Sequence, residues 1–166
     1  MFNRITVICY AIAIAIVAAL SLTALPGAGS AAQAVTEDGI VKVKSTHPFD
    51  ETVELLKKDV ADKGIMFFMA VDQSKLGDAA GIKLKPSTLL IFGNPPLGIQ
   101  FLTSNPNAGL DWPVRLLVTE NDKGEVLAVY TDFAWIARRH HISDRDAAFN
   151  MASEVIASIT SRVAAK

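Results

Sequence analysis

The chain has 166 residues, 16 Lys or Arg against 17 Asp or Glu, and a formal net charge of −1. With charge nearly balanced and no basic stripe or arginine-rich arm, nucleic acid is excluded as a partner. One cysteine, Cys9, rules out a disulfide framework.

The first 34 residues read as a secretory signal. Arg4 is the basic start, Ile5 to Leu20 is apolar apart from Thr6, Pro26 and Gly27 break a helix, and Ala32-Gln33-Ala34 offers small residues for cleavage. The cut is expected after Ala34, with Ala31 or Ala32 as alternatives. An uncleaved membrane anchor is the competing reading, because the run approaches the roughly 20 residues that span a bilayer. Either way the remainder is expected outside the cytoplasm, periplasmic or secreted. Removing the leader leaves Val35 to Lys166, 132 residues with 15 basic against 17 acidic side chains, net −2. That is the size of one domain, and without Cys9 it carries no thiol, so thiol catalysis is excluded.

From Gly39 to Lys44 apolar and basic residues alternate, the period of a strand with one wet face. Pro48 fits the first position of a helix, Asp50 and Glu51 favour its positive end, and Phe49, Val53, Leu56 and Val60 form one apolar stripe before Gly64 closes it. The continuous apolar run Ile65 to Val71 predicts a strand buried on both faces, with Met66 and Met69 as core filler. Gln73 to Ala80 suits a short helix ended by Gly81, and Ser87 to Phe92 a further strand.

The next segment, Gly93-Asn94-Pro95-Pro96 through Asn105-Pro106-Asn107 to Trp112-Pro113, reads as a shaped loop rich in Gly, Asn and Pro. Such loops on a rigid scaffold often carry function. It is no phosphate loop, since the Gly-Lys-Ser/Thr ending is missing and prolines remove amide donors. Val114 to Glu120 and Glu125 to Tyr130 are strands about an Asn121–Gly124 hairpin turn. Asp132 can cap a helix from Phe133 to His140. Ser143 with Asp146 resembles a capping box for the last helix, whose apolar face includes Ala148, Met151, Ala152, Val155, Ile156, Ile159 and Val163. The order predicts an α+β domain with one mainly antiparallel sheet and helices packed on one face.

Three segments, LLIFGNPPLG at 89–98, AGLDWPVRLLV at 108–118 and AWIARRH at 134–140, make the chain resemble the domain-of-unknown-function family 302. The resemblance implies a β-α-β-β-β-β-α core of the TATA-binding-protein-like type and a homodimer. It implies no established activity. The chain departs from the family pattern at Asp72-Gln73, where members often carry Asp-His, and at Gly98-Ile99-Gln100-Phe101-Leu102, where they often carry Gly-Thr-Pro-Leu-Met. No site that depends on that histidine is carried over.

Five residues are candidates for a ligand site: Asn94, Asp111, Arg115, Arg139 and His140. Imidazole titrates near neutral pH and guanidinium grips carboxylate or phosphate at two points, so Arg138-Arg139-His140-His141 suits an anion or acid–base site. The plainer reading is a set of cations offsetting a helix dipole. Asp111 and Arg115, four apart, either pair to fix the loop or face a pocket. Trp112 and Trp135 are either stacking or dimer anchors, or buried packing. Adjacent histidines on a helix point about 100° apart, and His47 has no spacing that recruits it, so no metal is expected. No serine-nucleophile signature or cofactor fingerprint occurs. The expected function is an exported, non-enzymatic small-ligand-binding domain whose ligand the sequence does not identify, a small anion being one candidate. The first alternative is an envelope enzyme using Asp111 or His140 as acid–base with Arg115 or Arg139 stabilising an anion. The second is a structural or interaction domain of the envelope. The ligand reading requires the rim between Phe92 and Val114 to share a hollow with the helix end carrying Arg139 and His140.

Overall fold

The computed structural model describes residues 35–165; the signal-peptide reading of residues 1–34 lies outside them. Five strands form one antiparallel sheet in the order β1-β5-β4-β3-β2: β1 Ile40–Lys44, β2 Met66–Asp72, β3 Ser87–Gly93, β4 Val114–Glu120 and β5 Val126–Thr131. The helices are α1 Phe49–Asp62, α2 Gln73–Ala79, α3 Pro95–Ser104, α4 Phe133–Arg139 and α5 Asp146–Ser161, with a short 3-10 helix at Pro106–Leu110. The fold is α+β, as the element order implies.

Register assigns the two faces of the sheet. Val41 lies opposite Tyr130, Val43 opposite Ala128, Val118 opposite Ala128, and Leu116 opposite Leu90, and all of these are buried. Residues directly opposite share a face, so this one carries the core. Helix α1 packs on β2, β3 and β4, and α5 packs on α1, α3 and α4. Leu56, Val60, Ile156 and Ile159 fill the space between. On the other face Lys42, Arg115, Leu117, Leu89, Ile91 and Met69 are half-buried or exposed.

Local signals in α1 act as its sequence implies. Gly64 takes φ +64° and the Ile65 amide returns to the Val60 carbonyl at 3.1 Å, closing the last turn. Pro48 stands one position earlier than expected, as the N-cap. In the hairpin, the Asn121 side chain accepts from the amides of Lys123 and Glu125, and Gly124 takes φ +74°.

Four expectations are corrected. The segment after β3 is helix rather than loop: Pro95 and Pro96 occupy the first turn of α3, where an N–H has no helical acceptor and a fixed φ helps. Strand β2 is an edge, not a doubly buried strand, and Met66, Phe68 and Met69 are 51%, 44% and 52% exposed. A register shift between Phe67 and Met69 marks a bulge in it. Ser143 does not cap α5, whose N-cap is Arg145. Met151, placed on the apolar face of α5 by its spacing, is exposed.

Trp112 rests on the backbone of α3. A Cβ at Gly98 would lie 1.8 Å from its Nε1 and one at Gly93 3.1 Å away. Alanine is normally worth about 1 kcal/mol over glycine inside a helix. Here the overlap wins, and Gly98→Ala is expected to destabilise the fold by about 1–3 kcal/mol in urea unfolding. A stabilised variant would show that the indole does not lie on this helix.

Candidate functional site

Asp111 follows the 3-10 helix and is 4% exposed at its side chain. A buried carboxylate needs compensating donors, and two guanidinium groups and an imidazole meet it. Arg115 Nη2 donates to Oδ1 at 3.0 Å. Arg139 Nη1 lies 3.2 Å from Oδ1 and 3.1 Å from Oδ2. His140 Nε2 is 2.6 Å from Oδ2. Arg115 also donates to the Leu110 carbonyl at 2.5 Å, holding the turn that presents Asp111.

Two elements deliver these groups. Strand β4 begins just past Asp111, after a cis Trp112–Pro113 bond, and carries Arg115. The chain leaves β5 through Asp132, whose carboxylate accepts from the Trp135 amide at 2.7 Å and starts α4. Arg139 and His140 stand three and four residues beyond the buried Ile136, on the same side of the helix. The Arg139 guanidinium carbon sits 5.5 Å from the Trp135 ring centroid. A Cβ at Gly39 would meet that indole at 2.3 Å, so the tryptophan is itself seated on backbone.

Four of the five candidates therefore converge; Asn94 does not. It is the exposed N-cap of α3 without a side-chain cap bond. It borders a separate hollow walled by apolar residues including Phe92, Leu97 and Trp112. Sequence reasoning missed Asn105. Its side chain accepts from the Asn107 amide at 3.0 Å and donates to the His140 carbonyl at 2.8 Å, joining the 3-10 helix to the end of α4. The Asn-Pro pair at 105–106 signals a turn, but no local pattern names its distant partner. Ser104 adds a second tie, donating to Asp144 at 2.5 Å. That hydroxyl is the main cause holding the Asp144 carboxyl below the usual carboxylate range.

The geometry divides the cluster into a closed part and an open part. Asp111 and His140 are buried and engaged with each other, and the Asp111 oxygens together accept four hydrogen bonds. Arg115 and Arg139 are 49% and 45% exposed, and each makes its side-chain hydrogen bonds through one terminal nitrogen. Among the described residues their other N–H donors have no protein acceptor. Beside Arg115 lies a cavity of about 20 Å³ bordered by Asp111, Thr131, Phe133 and Ile136. Among the described residues no group of three or more His, Cys, Asp or Glu side chains gathers as a metal site.

Comparison with known proteins identifies the class. The family model described as "Domain of unknown function DUF302" matches residues 41–165, and the chain belongs to that family. A solved structure, "uncharacterized conserved protein DUF302 from Bacillus stearothermophilus", superposes with a TM-score of 0.68 at 16% identity. The match covers 75% of this chain and 98% of that one, a likeness of fold. Curated relatives are the fluoride-specific ion channels FluC 1 of Brucella suis biovar 1 and FluC 2 of Brucella melitensis biotype 1. Each is 35% identical over 108 residues, 65% of this chain. The chain spans 42% and 40% of their respective lengths. Among the described residues no helix is long and apolar enough to cross a membrane.

Removing one member of a buried ion pair costs about 3–5 kcal/mol, whereas an exposed pair is worth about 0–1 kcal/mol. Asp111→Ala is therefore expected to lose about 3–5 kcal/mol in urea unfolding, and Arg115→Ala under about 1 kcal/mol. Equal losses in the two variants would contradict the division into a closed hub and an open rim.

Proposed function

We propose that this chain is an exported, non-enzymatic domain that binds a small anionic ligand at Arg115 and Arg139. One observation carries the reading: two half-exposed guanidinium groups share a single buried carboxylate, leaving excess positive charge and unused N–H donors at the surface. Guanidinium is the side chain suited to two-point recognition of anions. The sequence likeness to fluoride-specific channels supports an anion of small size, and fluoride is the first to try. Export rests on the reading of residues 1–34 as a secretory leader. The alternative of an acid–base enzyme is less well supported, because Asp111 and His140 are both buried and engaged with each other rather than open to a substrate.

The test is a thermal-shift titration with sodium fluoride, sodium acetate and sodium phosphate, corrected for ionic strength with the chloride salt. A specific anion at a hundredfold excess over its Kd is expected to add about 2.7 kcal/mol of stability. The Arg115→Ala/Arg139→Ala double variant is expected to remain cooperative and lose that gain. Stabilisation by none of the anions, or an undiminished shift in the double variant, would overturn the reading.

A homodimer is the second proposal, and the β2 edge favours it. An apolar edge strand without Lys or Pro is a template for pairing with another chain unless something covers it, and Met66, Phe68 and Met69 leave β2 in that condition. Phe68 meets Trp112 edge-on at 6.3 Å, which ties this edge to the rim of the site. Met69→Lys is expected to convert a dimer into a folded monomer in native mass spectrometry. A wild-type monomer, or a dimer indifferent to the substitution, would remove β2 as the interface.

A further inference from the structure

Helix α4 has a second functional side. Arg139 and His140 turn toward Asp111, but Ala134, Ala137 and Arg138 share another side of the helix and, with His141 just past its end at φ +52°, line a different hollow, of about 730 Å³, between α4 and the start of α5. Asp146 and Asn150 border it from α5, and Ser143, which does not cap that helix, borders it from the connecting turn.

The polar groups of this hollow are unspent. Among the described residues the side chains of Arg138, His141, Ser143, Asp146 and Asn150 make no hydrogen bond or ion pair. The neighbouring charges are used elsewhere: Arg145 pairs with Asp144 at 2.6 Å, and Arg139 with Asp111 at 3.1 Å. Arg138 and Asp146 thus line one hollow with opposite charges and do not neutralise each other. His141 is held in place by backbone, its amide on the Arg138 carbonyl at 3.1 Å and the Ile142 amide on that of Ala137 at 2.9 Å.

The geometry points to a binding site for a small zwitterion of the amino-acid type, separate from the anion site at Asp111. A carboxylate would be met by Arg138 and His141, and an ammonium group by Asp146 with Asn150 and Ser143 as hydrogen-bond partners. A simple anion would face Asp146 and a simple cation Arg138, so a ligand carrying both charges fits the pattern better than either. Ala134, Ala137 and Phe149 give the wall an apolar stretch for an aliphatic or aromatic side chain. The volume lies within the range of small-molecule sites.

The experiment is isothermal titration of the full-length protein with L-phenylalanine, N-acetyl-L-phenylalanine and L-phenylalaninamide. The free amino acid is expected to bind saturably. Each blocked form is expected to bind about tenfold more weakly or worse, having lost one charged contact. Arg138→Ala and Asp146→Asn, both at exposed positions, should each weaken L-phenylalanine to a similar extent, while Arg115→Ala leaves it unchanged. No binding to the wild type, equal affinity for the blocked forms, or indifference to both variants would overturn the proposal. Loss of binding in Arg115→Ala would also overturn it, by moving the ligand to the Asp111 cluster. The anion titrations depend on Arg115 and Arg139, so either site can fail without the other.

Discussion

A single buried carboxylate organises this end of the molecule. Asp111 lies where a short helix hands the chain to β4, and its burial is tolerable because charge-assisted donors reach it from two directions. Arg115 is local, four residues on. Arg139 and His140 arrive from the far side of a hairpin, after β4, β5 and the Asp132 cap have turned the chain back. The same contact therefore closes a turn and fixes where α4 ends. Asn105 reinforces it through the His140 carbonyl, so backbone and side chain of one histidine are both held by the 105–111 segment.

That constraint explains why α4, only seven residues long, has such different sides. With Ile136 and His140 committed to the interior, helical periodicity leaves Arg138 facing away toward α5, and the left-handed turn at His141, φ +52°, brings that imidazole to the same hollow. A run of four basic or imidazole side chains is thus divided into two environments by the helix repeat and by the left-handed backbone at His141. One half is engaged by Asp111. The other stands over a hollow that Asp146 also lines without pairing with it.

The parts of this arrangement legible in the sequence are those set by near neighbours. The Phe49–Val60 stripe, the Gly64 close, the Asn121–Gly124 turn and the Asp132 cap all act within a few residues, and each forms as its pattern implies. Asp111 with Arg115 is also a four-residue relation. The bonds from Asp111 to Arg139 and His140 span 28 and 29 residues, and depend on how the hairpin returns, which no local pattern encodes. Asn94-Pro95-Pro96 misleads for a physical reason: proline and asparagine favour both turns and the first turn of a helix. The run Ile65 to Val71 misleads differently. Its hydrophobicity reports that apolar surface is present, and it cannot report whether the neighbour is the protein's own core or an edge left open.

Both tryptophans sit on glycine backbone, and each adjoins a residue of the hub. Trp112 follows Asp111 and lies on Gly98, while Trp135 stacks under Arg139 and lies on Gly39. Large rigid rings pressed against backbone have little freedom to move, so they fix the carboxylate at one end and a guanidinium at the other. A hub seated this way separates two properties that are often entangled. The buried pair, Asp111 and His140, carries the structural cost of the charge cluster. The half-exposed pair, Arg115 and Arg139, keeps at the surface N–H donors that Asp111 does not use. The burial of the anchor and the exposure of the rim are thus set by different contacts, the first by the 105–111 segment and the second by where β4 and α4 present their arginines.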